Sequence, residues 1–282
     1  MATRRRQLIP WKAAGTRTEM RMNADEVVRE TGWVFNNQTG GSLTLQEFVE
    51  TGDAEVSIYL DRLGWNDLPA SASILEIGSG IGRMTAALTR RFDLITAADV
   101  DAAFLERCRE TVARHGRAAA LRTSHIVDGH SIDLPDSSVD AVFSYITLQH
   151  CRASDAVGLT RESFRTVRPG GRVALNYRTW VPADVALVPA GAVMRFLWNL
   201  PVVGARLSTW RWSTRLGWQA NRLDPRRILA VLEAANIDVT EIAILHHPGR
   251  PLREAVFRDE VVPQRDLDVA NQSHWWLLAR CR

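Results

Sequence analysis

The sequence predicts an α/β protein built on a doubly wound, mostly parallel seven-stranded sheet that carries an inserted cap. Three observations predict it. Short apolar runs alternate with stretches of helical periodicity, a glycine-rich turn joins the first strong run to the helix behind it, and the alternation breaks once, at a tryptophan-rich stretch, before resuming. At 282 residues the chain is too long for a minimal domain and short for two, so one large domain with an insertion fits best. Hydrophobic residues at 46% and charged residues at 24% are enough to bury a core and exclude disorder of the whole chain. The 35 basic side chains exceed the 32 acidic ones by only three, which predicts no nucleic-acid partner. Lys12 is the only lysine, and this arginine bias reads as a GC-rich bacterial genome. Cys108, Cys151 and Cys281 are odd in number and share no CxxC spacing, so neither a disulfide framework nor a metal site is expected, and a reducing cytoplasm is the natural compartment.

Residues 1–22 read as a flexible arm without the apolar core of a secretory signal. Residues 23–70 are expected to form a helical lid: one helix from Ala24, then, after the turn-rich NNQTGG, two short helices or a bent one around Gly52. SILEIG at 73–78 is the first strand, followed by a glycine turn and a helix marked by Met84, Leu88 and Phe92. LITAADV at 94–100 is the second strand, with a helix after it closed by Gly116. HIVDG at 125–129, VDAVFSYITLQH at 139–150 and RVALNYR after the RPGG turn continue the rhythm, which implies parallel strands with right-handed crossovers. The cap, 180–222, holds Trp180, Trp198, Trp210, Trp212 and Trp218 among prolines and arginines. The grammar returns at Asp224 as N-cap with Pro225 in the first helical position, then VTEIAIL and a final strand SHWWLLARCR. The apolar run 185–207 contains Arg195, Asn199, Arg206 and two prolines, so no integral membrane span is expected.

Glu76-Ile77-Gly78-Ser79-Gly80-Ile81-Gly82 lies on a strand-to-helix junction. Glycines there admit positive φ and let a ligand approach the backbone, and helix amides favour electron-rich groups. Arg83 stands where the dinucleotide fingerprint wants its last glycine, which weakens a nicotinamide or flavin reading, and no GKS or GKT follows to make a P-loop. Asp99, 21 residues past Gly78 at the end of the next strand, is placed to accept both hydroxyls of a ribose. A tight structural turn beside a solvated aspartate is the bland alternative.

ILEIGSGIGRMT, AADVD, GHSIDLPDSSVDAVFSYITLQH and VRPGGRVAL, in this order, resemble the successive motifs of the class I S-adenosylmethionine-dependent methyltransferases, most closely the bacterial group with the ubiquinone and menaquinone methyltransferases. The resemblance covers residues 45–178 and implies a Rossmann-like fold, S-adenosyl-L-methionine as cofactor and methylation of a small-molecule acceptor. It places the amides around Gly78, Ser79 and Gly80 against the methionine part, Gly82 at a close packing contact, Glu76 near the cofactor's amino group or the turn, Asp99 on the ribose and Val100 on the adenine. Where the family carries an aspartate after the glycine matching Gly129, this chain has His130 and Ser131, and a neutral imidazole could accept that bond instead. Ser144, Tyr145 and Ile146 would lie beside the sulfonium.

An alcohol acceptor must lose a proton, and His150 is the candidate general base, against the alternative of a histidine bonded to backbone. His246 and His247 are weaker candidates, and Asn176 and Arg178 at a strand end are placed for either substrate contact or structure. The cap's tryptophans suit a substrate ring or lipid chain, a satellite core, or a homodimer contact. Its Arg195, Arg206, Arg211 and Arg215 also suit an anionic membrane surface, a reading the prolines weaken. The transfer is expected at oxygen. A non-catalytic scaffold that binds nucleosides and a nicotinamide-dependent reductase are the rival functions.

Overall fold

The computed structural model describes residues 23–35, 43–207, 210–218, 221–247, 252–267 and 273–282. The expected arm at 1–22 and the NNQTGG turn lie outside them. Helices α1 (Ala24–Phe35) and α2 (Leu45–Arg62) precede β1 (Ser73–Ile77), α3 (Arg83–Arg91), β2 (Leu94–Asp99), α4 (Ala102–His115), β3 (Leu121–His125) and β4 (Val139–Ser144). Then come α5 (Ala153–Thr166), β5 (Val167–Arg178), the cap helices α6 (Asp184–Leu197), α7 (Pro201–Leu207) and α8 (Arg211–Trp218), α9 (Pro225–Ala234), β6 (Val239–His246), the short β7 (Val256–Phe257), β8 (Glu260–Val261) and β9 (Gln264–Asp266), and β10 (His274–Cys281).

The main sheet runs β3-β2-β1-β4-β5-β10-β6-β9. β10 is antiparallel to both β5 and β6, and every other pair in this sheet is parallel. Strand order reverses between β1 and β4, so the carboxyl ends of those two strands flank the crevice where open α/β sheets take ligands. Alternate side chains feed opposite faces. Leu75, Ile77, Val142 and Leu175 pack with Leu159 and Phe164 of α5 and Ile228, Leu229 and Leu232 of α9. Ile74, Phe143 and Trp276 pack on the other face with Tyr59 and Leu60 of α2 and with Leu88 and Phe92.

Several expectations change. The sheet has eight strands rather than seven, because β9 adds to the edge of β6 from a mixed-charge segment without apolar alternation. The third strand lies at 121–125, not 125–129: LRTSH pairs with β2, and the chain leaves the sheet after His125. The strand of 139–150 ends at Ser144, and Leu148–His150 forms one 3-10 turn. RPGG is drawn into β5, whose Val167 already pairs with Val139. Gly52 does not break its helix. α2 is continuous from a capping box at Thr44 and Glu47, and Gly52 is small because α3 lies against it: a Cβ there would stand 2.3 Å from the Arg83 carbonyl oxygen. The helices expected as a lid have their apolar faces in the core, with Leu45, Phe48 and Val49 packed among Ile81, Ala86 and Phe104. Asp224 caps α9 by accepting from the Arg226 amide, with Pro225 in the first turn, as expected.

Candidate functional site

The glycine turn is shaped by backbone geometry. Gly78, Gly80 and Gly82 have φ of 83°, 54° and 92°, a region that side chains other than glycine rarely enter. At Gly78 space is a second constraint, since a Cβ would lie 2.1 Å from the Thr147 side chain. Thr147 Oγ1 donates to the Gly78 carbonyl (3.3 Å), stitching the end of β1 to the segment after β4. The turn hangs from β2 through the Gly78 and Ser79 amides, which donate to the Ala98 carbonyl at 2.7 and 3.3 Å.

Asp99 stands at the carboxyl end of β2, buried, facing this turn. Its Oδ2 accepts from the Gly80 amide and its Oδ1 from the Asp101 amide, both at 2.9 Å. A carboxylate has about four acceptor positions, so about two remain for a ligand's hydroxyls. Burial pushes the Asp99 carboxyl up to about 6, against the pull of the Asp101 and Gly80 amides. Glu76, also buried, accepts from Thr85 Oγ1 at 2.6 Å, and burial raises it to about 7. Beside them the buried Cys108 thiol is pushed up to about 12 by burial and by the Glu76 charge, which keeps it an inert packing group. The Ser79 hydroxyl is buried without a hydrogen-bond partner among the described residues. An orphaned polar group, a cradle too tight for a Cβ and a carboxylate with open lone pairs fit an adenosyl ligand with a polar tail.

Val100 is partly buried against the core beside Asp99. His130 and Ser131 lie in the loop after β3, and the acid that organises this loop is Asp128, which the sequence reading passed over. Asp128 Oδ1 accepts from the His130 and Ser131 amides at 2.9 and 2.8 Å. Partial burial raises its carboxyl, but the Ser131 hydroxyl and these amides outweigh that and bring it down to about 2. The His130 ring lies 3.4 Å from Asp128 Oδ2, and its Cβ packs where Gly158 leaves room. An acid is thus present in the loop, before Gly129 rather than after it.

Tyr145 packs partly buried against the layer that holds Tyr59 and Trp276. Its ring stacks on Trp276 at 5.6 Å and its hydroxyl accepts from Tyr59 (2.9 Å). Next to it Ile146 has φ 49°, a strained value for a β-branched residue, held by its amide donating to Asn176 Oδ1 (3.3 Å). The same Asn176 oxygen meets His274 Nδ1 at 2.9 Å. Burial, with Arg178 nearby, lowers His274 to about 3, so it is neutral and its Nδ1 donates. His274 is a second residue the sequence reading missed; 98 positions separate it from Asn176, and only β5–β10 pairing joins them. His150 is half-buried at the end of the 3-10 turn, its Nε2 3.3 Å from Gln149 Nε2. His246 sits at the same sheet end but four strands from β1, roughly 19 Å at the usual strand spacing, and meets Asp266 at 3.5 Å.

Behind Asn176 the cap is tied to the sheet by a buried ion cluster. Asp184 Oδ1 accepts from Arg178 (3.0 Å) and Arg222 (2.7 Å), and Oδ2 from the Val181 amide (2.9 Å). Burial works to raise the Asp184 carboxyl, but the Arg222 bond, the Val181 amide and both guanidinium charges hold it below its ordinary value. Burial and the neighbouring Arg222 lower Arg178 to about 10. Arg178 is thereby a structural strut. Among the described residues no group of three or more histidine, cysteine or acidic side chains is placed to hold a metal ion, and no helix is long and apolar enough to cross a membrane.

This sheet order, with its switch-point crevice, glycine turn and strand-end acid, defines a nucleoside-binding α/β domain. Residues 75–175 match the family model described as a methyltransferase domain, so this segment is a methyltransferase domain. It is 32% identical over 118 residues to an S-adenosyl-L-methionine-dependent Diels-Alderase of Talaromyces variabilis, covering 40% of this chain and 38% of that one. It is 29% identical over 140 residues to the methyltransferase GfsG of Streptomyces halstedii, covering 47% and 46%. The chain thus spans less than half the length of these curated relatives. The magnesium protoporphyrin IX methyltransferase of Synechocystis PCC 6803, solved with bound SAH, has the same fold at TM-score 0.51 and 12% identity, covering 92% of this chain and 98% of that one.

Proposed function

We propose that the protein transfers a methyl group from S-adenosyl-L-methionine to an oxygen of a small-molecule acceptor. The buried Asp99 carboxylate carries the reading, since it clasps the glycine turn and keeps acceptor positions for two ribose hydroxyls. The family match and the relatives named for S-adenosylmethionine and methyl transfer support it. When bound, this cofactor supplies an electrophilic methyl on a cationic sulfur.

In this reading the turn at Gly78, Ser79 and Gly80 binds the polar tail of the cofactor, Gly82 lets α3 pack close, and Glu76 supports the turn through Thr85. Val100, His130, Ser131 and Asp128 border the adenine. The strained Ile146 peptide and Thr147 form the wall nearest the methyl group, and alignment with exclusion of water supplies much of the rate. His150 takes the acceptor's proton at Nε2, with its Nδ1 protonated, the tautomer that lets Gln149 donate to it in the resting site.

Calorimetry with S-adenosylhomocysteine and labelled methyl transfer into small-molecule extracts test this together. Asp99→Ala is expected to weaken binding more than about tenfold. His150→Ala is expected to bind normally and lose about a hundredfold in turnover. Unchanged affinity in a folded Asp99→Ala protein removes the cofactor assignment. Binding without transfer to any acceptor returns the non-catalytic reading, and thermal stabilisation by NADH alone returns the reductase.

A further inference from the structure

The cap helix α6 turns its apolar residues outward. Its exposed positions are Val185, Ala186, Leu187, Pro189, Ala192, Val193 and Phe196, with no polar residue among them, and Val185 and Phe196 are 76% and 66% exposed. The inward face holds Asp184, Gly191, Met194 and the half-buried Arg195, which donates to the Gly217 carbonyl at 3.1 Å. This inverts the usual surface helix, whose charges face water. The apolar face continues through Leu200 and, on α7, Val202 (81% exposed) and Val203, to Trp210 and Trp212. Of fourteen large apolar side chains exposed among the described residues, ten lie between positions 180 and 212. Scattered apolar residues are normal on a surface, but so concentrated a patch is covered in use.

Among the described residues the cap has a packed interior of its own. Trp198 fills it, its Nε1 donating to the buried Ser213 hydroxyl at 2.9 Å and its ring lying against Gly217. Charge identifies the cover. Between residues 180 and 218 the sequence has, besides the inward-facing Arg195, three arginines, Arg206, Arg211 and Arg215, and one acid, Asp184, which is buried and already paired. A two-fold contact between copies would set the same basic segment against itself. Anionic headgroups complement it, and exposed tryptophans favour the boundary between headgroup and acyl chain.

We propose that the outward face of α6 and α7, with Trp210 and Trp212, docks on an anionic lipid bilayer, lying in the interface without crossing it. The proposal does not depend on the chemistry assigned to the crevice. Its test is co-sedimentation of the whole chain with vesicles of phosphatidylcholine alone and of phosphatidylcholine with phosphatidylglycerol. Binding is expected to the anionic vesicles, at least about tenfold tighter than to the neutral ones, and to fall about tenfold in Phe196→Asp and severalfold in Arg206→Glu. Both side chains face solvent, and an unchanged thermal midpoint shows that the variants fold. No binding to anionic vesicles, or equal binding to both, overturns the proposal. So does a stable dimer in sedimentation velocity that Phe196→Asp dissociates, since a second copy then covers the face.

Discussion

The crevice beside β1 and β2 and the cap behind β5 solve the same problem, holding polar groups away from water, by opposite means. In the crevice the backbone does it: the glycine turn brings the Gly80 amide to Asp99, which also accepts from the Asp101 amide, all within a few dozen positions. In the cap, charges do it. Asp184 is shared by Arg178 and Arg222, residues brought together from the end of a strand and from beyond three helices. The Asp99 carboxylate keeps open acceptor positions, whereas the Asp184 carboxylate is already taken by two guanidinium groups and the Val181 amide. The difference teaches that one is arranged to receive a ligand and the other to fix a substructure.

The largest expected effect breaks the cap side. Asp184→Asn leaves two buried guanidinium groups without their anion and should lower stability by about 3–5 kcal/mol in urea unfolding. Molecules that remain folded should bind S-adenosylhomocysteine normally; a parallel loss of affinity would show that the two regions are one site. On the crevice side, Gly78→Ala meets both the positive φ and the Thr147 side chain, and should cost about 2–4 kcal/mol and abolish measurable cofactor binding. Retained affinity there would mean that the turn is not the cradle.

A pH titration sharpens the contrast at smaller scale. Asp99 is raised in the folded protein to about 6, so its neutral form gains ground as pH falls, while ribose hydroxyls need the carboxylate as acceptor. Affinity for S-adenosylhomocysteine should therefore fall about tenfold between pH 7 and 5. For the unliganded protein the sign is opposite. Asp99 and Glu76 bind protons more tightly folded than unfolded, so their contribution to stability is full below about 4 and is lost as pH rises through about 6 and 7. His274, lowered to about 3, works against them below its ordinary value near 6.5. Asp99→Asn should flatten the affinity profile, and a wild-type profile that is already flat would place the ribose elsewhere.

Legibility followed sequence distance. The glycine turn, Asp99 and the Asp224 cap could be read because each signal is local: a strand, a turn and an acid at the next strand end. Asp128 is legible in principle, because an acid two positions before His130 can accept that residue's amide, but the family pattern has its acid after the glycine matching Gly129. β9 was not legible, since three residues with no apolar alternation become a strand only through the edge of β6. The packing of Tyr145 depended on Tyr59 and Trp276, which lie 86 and 131 positions away.

What the sequence determined alone was the alternation of strand and helix, the placement of the glycine turn, and the acid facing it, because these follow from backbone preferences and periodicity over a few residues. Tertiary structure decided the rest. Asn176 meets His274, Asp184 meets two arginines, and α6 shows water its apolar side, because each depends on which distant surface a residue meets, and burial, pairing and exposure are properties of that meeting.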